Sequence, residues 1–320
     1  MTSPVRHDRI DTRGAAILVM LCALWGMTQV AMKITGQEGI PPLLQAGLRS
    51  VGAAVLLCLW VRLRGGKGAL GALLAPDGAF WPGMGIAVLF AGEFLFLFPG
   101  MLLTTASRGV LFVYTAPFWV AGGVHLLVPG ERMTARQALG LLLAFAGIAL
   151  AVSDGLSAGG GQWQGDALVL IGAAFWGLTT VALRSSPRLM ALRPQKVLFY
   201  QLAGSAPLLL AAAALHDELP RIAAGSGLGW LWLGYQVGIV AFFSYLTWFW
   251  LIARYPAGRL SSFTFLAPLF GMLAGALVLD EHVSALLAGA LVFVGCGIKL
   301  VNGPAPARRV VAVAEGTDVP

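Results

Sequence analysis

The chain has 320 residues, of which 58% are hydrophobic and only 11% charged, with a mean hydropathy of +0.83. Soluble globular domains carry about 25% charged residues, so a water-soluble fold is excluded and an integral membrane protein is expected. The formal net charge of +7 is spread between apolar runs, which points to orientation in a bilayer and not to nucleic acid.

Residues 1–13 are polar and predict a cytoplasmic N-terminal segment. The apolar run that follows is too long for a signal peptide and has no small-residue cleavage site. A spanning helix needs about 20 mostly apolar residues. Ten such runs are predicted, at 14–35, 41–63, 82–104, 107–128, 134–153, 165–185, 194–215, 229–253, 258–279 and 283–302. They are continuous where barrel strands would alternate, so the fold class is all-α. Breaks carry proline, glycine or charge, as in "GIPP", "RLRGGKG", "VPGER" and "RYPAGR". The tail, 303–320, is short and mixed, and predicts a disordered cytoplasmic segment. Cys22, Cys58 and Cys296 lie within apolar runs without CxxC spacing and read as small core residues, with neither a disulfide framework nor a metal site.

With the N-terminus inside, sixteen lysines and arginines fall on the cytoplasmic side, Arg13, Arg62, Arg184 and Arg254 among them. The other side holds Lys33, Arg108 and Arg221. That bias places both termini in the cytoplasm of an inner or plasma membrane and favours an even helix count.

An internal repeat divides the chain. "CALWG" at Trp25 returns as "AAFWG" at Trp176, and "SRGVLFVYTAPF" returns as "AGRLSSFTFLAPL", both at an offset of 151 residues. "GERMTARQALGLLLAFAGI" returns as "DEHVSALLAGALVFVGCGI" at an offset of 150. Each copy would contain five helices, an odd number, so the second must be inverted in the membrane, as in many secondary transporters.

These pieces, together with "ALWGMTQVAMK" in the first helix and "LLQAGLRSVGAAVLL" in the second, resemble the EamA family of the drug/metabolite transporter superfamily. The resemblance implies two inverted five-helix halves, 14–153 and 165–302. It implies a central cavity lined mainly by helices one, three, four, six, eight and nine, and transport of small metabolites, often outward. It implies no catalytic set and does not fix the substrate, since relatives handle amino acids, other metabolites or toxic compounds.

Site candidates come from polar and aromatic residues inside the apolar runs. Glu93 lies about 16 Å into its helix at 1.5 Å per residue. An ionised carboxylate at that depth must be neutral, paired or beside water, and intramembrane acids mark transport pathways. Packing against a neighbouring helix is the plainer alternative. Arg49, about 12 Å from the opposite surface, is a candidate charge partner, although its long side chain can also reach an interface. Trp25 and its mate Trp176 read as cavity walls or packing residues, with Tyr114 and Phe265 as further walls. Gln29, Thr180, Gln236, Ser244 and Thr247 are candidate polar contacts, the last three recurring at helical spacing. His125 could relay protons, but a packed or interfacial histidine is the better reading. Pro117 and Pro268 predict kinks in helices four and nine. Gly271, Gly275, Gly289, Gly295 and Gly297 predict close helix approach.

No Walker loop, HExxH or GxSxG pattern occurs, so neither an ATP-driven pump in one chain nor an enzyme is expected. The expected activity is secondary transport of small metabolites such as amino acids, without a cofactor. The alternatives are a multidrug efflux permease or a non-transporting receptor or scaffold. Proton coupling and oligomeric state stay open at this point.

Overall fold

Every described element of the computed structural model is helical; it describes residues 9–104, 106–153, 163–279 and 286–303. The first repeat holds α1 (Thr12–Gln37), α2 (Pro42–Leu74), α3 (Phe80–Leu103), α4 (Ala106–Val113), α5 (Ala116–Leu127) and α6 (Ala135–Ala151). The second holds α7 (Trp163–Ser185), the short α8 (Pro187–Met190), α9 (Pro194–Leu215), α10 (Gly227–Tyr235), α11 (Tyr245–Ile252), α12 (Ala257–Phe263), α13 (Ala267–Leu279) and α14 (Leu287–Asn302). Eight helical segments among the described residues are long and apolar enough to cross a membrane, and two apolar helices, near α6 and α14, are shorter.

Local chemistry sets the starts. The Asp11 side chain accepts from Gly14 N at 2.7 Å and caps α1. Thr134 and Gln137 form a reciprocal capping box at α6. Proline stands in the first turn of α2, α5 and α9, where its missing N–H costs nothing.

Three expectations change in detail. The second helix does not end at "RLRGGKG": it bends at Gly66, whose φ of 71° glycine tolerates, and resumes to Leu74. Pro117 and Pro268 do not kink continuous helices; each is the second residue of a restarted one. The chain breaks at Tyr114 and Thr115 before α5, and through a 3-10 turn, Thr264–Leu266, before α13. Each proline removes the bond back to the preceding turn, and a threonine hydroxyl satisfies a carbonyl beside it: Thr115 on Phe112 O at 2.6 Å, Thr264 on Ser261 O at 2.7 Å. The third is a π-helical stretch, Gln236–Ser244, between α10 and α11. All but the first residue of the predicted tail, 303–320, and the start of the tenth helix at 283 lie outside the described residues.

Packing exchanges the two repeats. The α1 helix lies on α13 as α7 lies on α5, and α3 packs on α7 and α9 as the α10–π–α11 rod packs on α1 and α2. The α6 helix crosses α14 directly. At that crossing a Cβ on Gly140 would lie 2.7 Å from Gly297 O, and one on Gly147 would lie 2.9 Å from Ala290 O. With the repeat offset of 150, these two contacts are images of one another.

Polar contacts between the halves cluster near the helix ends. At the end where α1 begins, Tyr255 Oη donates to Asp11 at 3.0 Å, Lys196 Nζ donates to Leu73 O and Ala75 O at 2.6 Å, and Arg184 pairs with Glu131. At the other end, Leu44 N donates to Glu218 at 2.8 Å, Ser226 Oγ to Glu38, and Arg108 grips Asp166.

Candidate functional site

Between these two belts lies a cavity of about 190 Å³, bounded by α1, α2, α3, α4, α7, α9 and the π–α11 rod. Its wall brings together six of the predicted residues: Trp25, Arg49, Glu93, Tyr114, Trp176 and Thr180.

Glu93 points from the middle of α3 with no hydrogen bond or ion pair to any described residue. No ion pair joins it to Arg49. Arg49 itself is 3% exposed, its guanidinium carbon 4.5 Å above the Phe94 ring. A cation over a ring face draws on the ring quadrupole, but two nitrogens, Nε and Nη2, make no hydrogen bond at all. The cavity therefore holds one positive and one negative group, both carried by the first repeat. Their repeat positions are occupied by Tyr200 and Ser244.

Much of the remaining wall is aromatic, and several of its rings pair edge to face. Trp25 meets Trp248 at 5.4 Å between centroids, Phe90 meets Tyr245 at 5.8 Å, and Tyr114 meets Trp176 at 6.0 Å. Such pairs hold ring orientation beyond what burial alone does. Ser244 does not line the cavity; it fixes a residue that does. Its Oγ accepts from Trp25 Nε1 at 2.9 Å and donates to Val240 O at 2.6 Å.

Other candidates lie elsewhere. Gln236 is buried among helix ends, donating to Thr35 Oγ1 and Gln45 Oε1 at 3.1 Å each. Thr247 donates to Phe243 O in the turn before it. Phe265 is fully buried and packs edge to face on Phe118. The side chain of Gln29 lies outside what the structure describes. His125 is exposed, and its Nδ1 accepts from Met133 N at 3.0 Å, well away from the cavity.

Sequence reasoning passed over Phe90, Phe94, Gln201, Tyr245 and Trp248, all of which line the wall. A signal was present. At an offset of 151, Thr28 pairs with Thr179, Phe94 with Tyr245, Leu97 with Trp248 and Phe98 with Phe249, and all eight residues face the cavity.

The EamA-like transporter family model matches this chain twice, over residues 12–153 and 163–303. The chain belongs to the EamA-like transporter family. It is thus a multi-pass membrane transporter of two repeats that handles a small-molecule substrate. A probable amino-acid metabolite efflux pump of Escherichia coli is 25% identical over 91% of this chain and 96% of its own length. An uncharacterized inner membrane transporter of the same species is 26% identical, covering 92% and 93%. A WAT1-related chloroplastic protein of Arabidopsis thaliana is 29% identical, covering 90% of this chain and 69% of the relative. One solved crystal structure aligns over 91% of this chain and 96% of that one with a TM-score of 0.72 at 21% identity, a likeness in fold.

Proposed function

We propose that this EamA-like transporter exports small metabolites, amino acids foremost, by alternating access across an inner or plasma membrane. Ten crossings in two inverted halves, both termini cytoplasmic, fit the basic-residue bias and the exchange of packing partners between repeats. The observation that carries the reading is the cavity holding Glu93 and Arg49 out of contact, between two belts of bonds that join the halves. Opening one belt at a time would expose that cavity to alternate sides. Glu93 then serves to hold a substrate amine or a proton. The relatives named as efflux pumps and inner membrane transporters support direction and location.

Two tests follow from this reading. Cells overexpressing the protein should survive toxic amino-acid analogues better than controls, and Glu93→Gln should remove that protection at least tenfold on the dose axis while keeping wild-type detergent-extracted yield. Undiminished protection by Glu93→Gln would end the role given to Glu93, and protection by the wild type without dependence on external pH would leave it the amine alone. Reporter fusions after Pro129 and Arg188 should report cytoplasm, and fusions at Gly160 and Asp217 the opposite side. A reversed result at any two sites would break the inverted-repeat topology. The aromatic wall also suits multidrug efflux, and protection against apolar cations without any amino-acid analogue would select that function instead.

A further inference from the structure

Arg49 is out of keeping with the other cations held between helices. Arg108 offers Nε and Nη2, one edge of its guanidinium, to both oxygens of Asp166. Arg184 donates Nε to Glu131 at 2.5 Å and Nη1 to Ile252 O at 2.6 Å. Lys196 donates to backbone carbonyls at the end of α2. At Arg49 that same Nε and Nη2 edge is bare, although the residue is 3% exposed and lines the cavity. A buried charged group without partners is costly. A guanidinium edge is shaped for two parallel bonds to a carboxylate.

Nothing on the wall supplies that carboxylate. Glu93 is the acid of the cavity lining, and it makes no ion pair with Arg49. A gap spanned by opposite charges suits a ligand that is itself a short dipole. Gln201 Oε1, also buried without a partner, lines the same cavity and offers an acceptor. Beyond the three hydroxyls of Thr28, Thr179 and Thr180 the rest of the wall is apolar, much of it ring surface such as Trp25, Phe90, Tyr245 and Trp248, which would accept an apolar side chain. At about 190 Å³ the space admits a small molecule only.

We infer that Arg49 is the carboxylate anchor of this cavity, and that the cargo class is the free α-amino acid with an apolar side chain, its ammonium directed to Glu93. This rests on the transporter reading above and narrows it. The carboxylate meets the Nε and Nη2 edge, the ammonium neutralises Glu93, and the side chain covers the rings. Both charges of the cavity are satisfied at once, so the loaded site crosses the membrane neutral.

The test is binding to the purified full-length protein in detergent, read by tryptophan fluorescence, since Trp25, Trp176 and Trp248 line the cavity. The ligands are leucine, methionine and phenylalanine, and for each the amide, which lacks the carboxylate, and the N-acetyl derivative, which lacks the ammonium. At least one free amino acid should bind saturably, with its amide and N-acetyl forms weaker by about tenfold or more. Arg49→Lys keeps the charge but loses the two-bond edge. It should weaken the free amino acid about tenfold and leave the amide unchanged. Amides that bind as well as the acids overturn the proposal, as does Arg49→Lys binding like wild type or weakening acid and amide alike. If Arg49→Lys does not fold, the wild-type ligand series decides alone. Failure of all three amino acids to bind, in a protein that protects cells against other compounds, overturns the anchor and leaves the transporter reading standing. Binding in the expected order without any export does the reverse.

Discussion

Gly297→Leu should leave little monodisperse protein after extraction and cost about 3 kcal/mol or more, because the overpacking it forces is against backbone. A Cβ on Gly297 would lie 2.5 Å from Gly140 O and 2.7 Å from Ala144 N. Neither atom can rotate away as a side chain would, so α6 and α14 must separate along their whole crossing. The crossing is also where the two repeats meet their own images, so the damage spreads to Gly147 against Ala290. Two residues away, Gly295 has nothing within 4 Å of a built Cβ. Gly295→Leu should be neutral or mildly stabilising, since a helix-interior glycine carries a penalty of about 1 kcal/mol against better helix formers. Thermal midpoints of the two variants in one detergent give the comparison. Equal midpoints would show that the crossing is not the constraint. The glycines of this helix were expected to act alike in close packing, and the structure divides them.

That division illustrates what a membrane sequence can and cannot show. Duplication was legible, because two copies at a constant offset carry their own alignment, and Trp25, Trp176 and Tyr114 came with it. Facing was not. In a soluble helix the polar side names the solvent and the apolar side the core, but here lipid and cavity both accept Phe and Trp. Phe90, Phe94 and Trp248 therefore look no different in sequence from exposed Trp81 or Phe243. Polar residues mislead in the opposite way. Gln236 looked like a cavity contact, but a buried amide can equally be satisfied by Thr35 and Gln45 on neighbouring elements. Phe265 shares the repeat position of Tyr114, but it sits inside a 3-10 turn that redirects it into the core against Phe118. Glu93 was conspicuous from the start, and its lack of a partner among the described residues is what only the structure could supply.

Glu131→Ala should destabilise the protein by about 3–5 kcal/mol, the range for removing one partner of a buried ion pair. Both side chains are nearly out of reach of water, Arg184 at 2% and Glu131 at 3% exposure. Glu131 sits between α5 and α6 of the first repeat and holds two elements of the second. One oxygen accepts from Arg184 Nε at 2.5 Å, and the other accepts from Ala257 N at 2.8 Å, at the first residue of α12. Loss of the carboxylate leaves a buried guanidinium and a bare amide together, and neither can reach solvent without parting the halves. Glu131→Gln keeps one acceptor but not the charge and should fall between wild type and alanine. Combining Glu131→Leu with Arg184→Leu removes both charges, so stability should partly return. Return is incomplete because Ala257 N and Ile252 O, the latter bonded to Arg184 Nη1 at 2.6 Å, stay unpaired at about 1–3 kcal/mol each. Thermal midpoint and extracted yield for wild type, Glu131→Leu, Arg184→Leu and the double variant form a mutant cycle. Additive losses, with the double variant as damaged as the sum of the singles, would mean that the pair does not join the two halves. Recovery in the double variant would locate the coupling in this contact, at the end of the cavity where α1 begins.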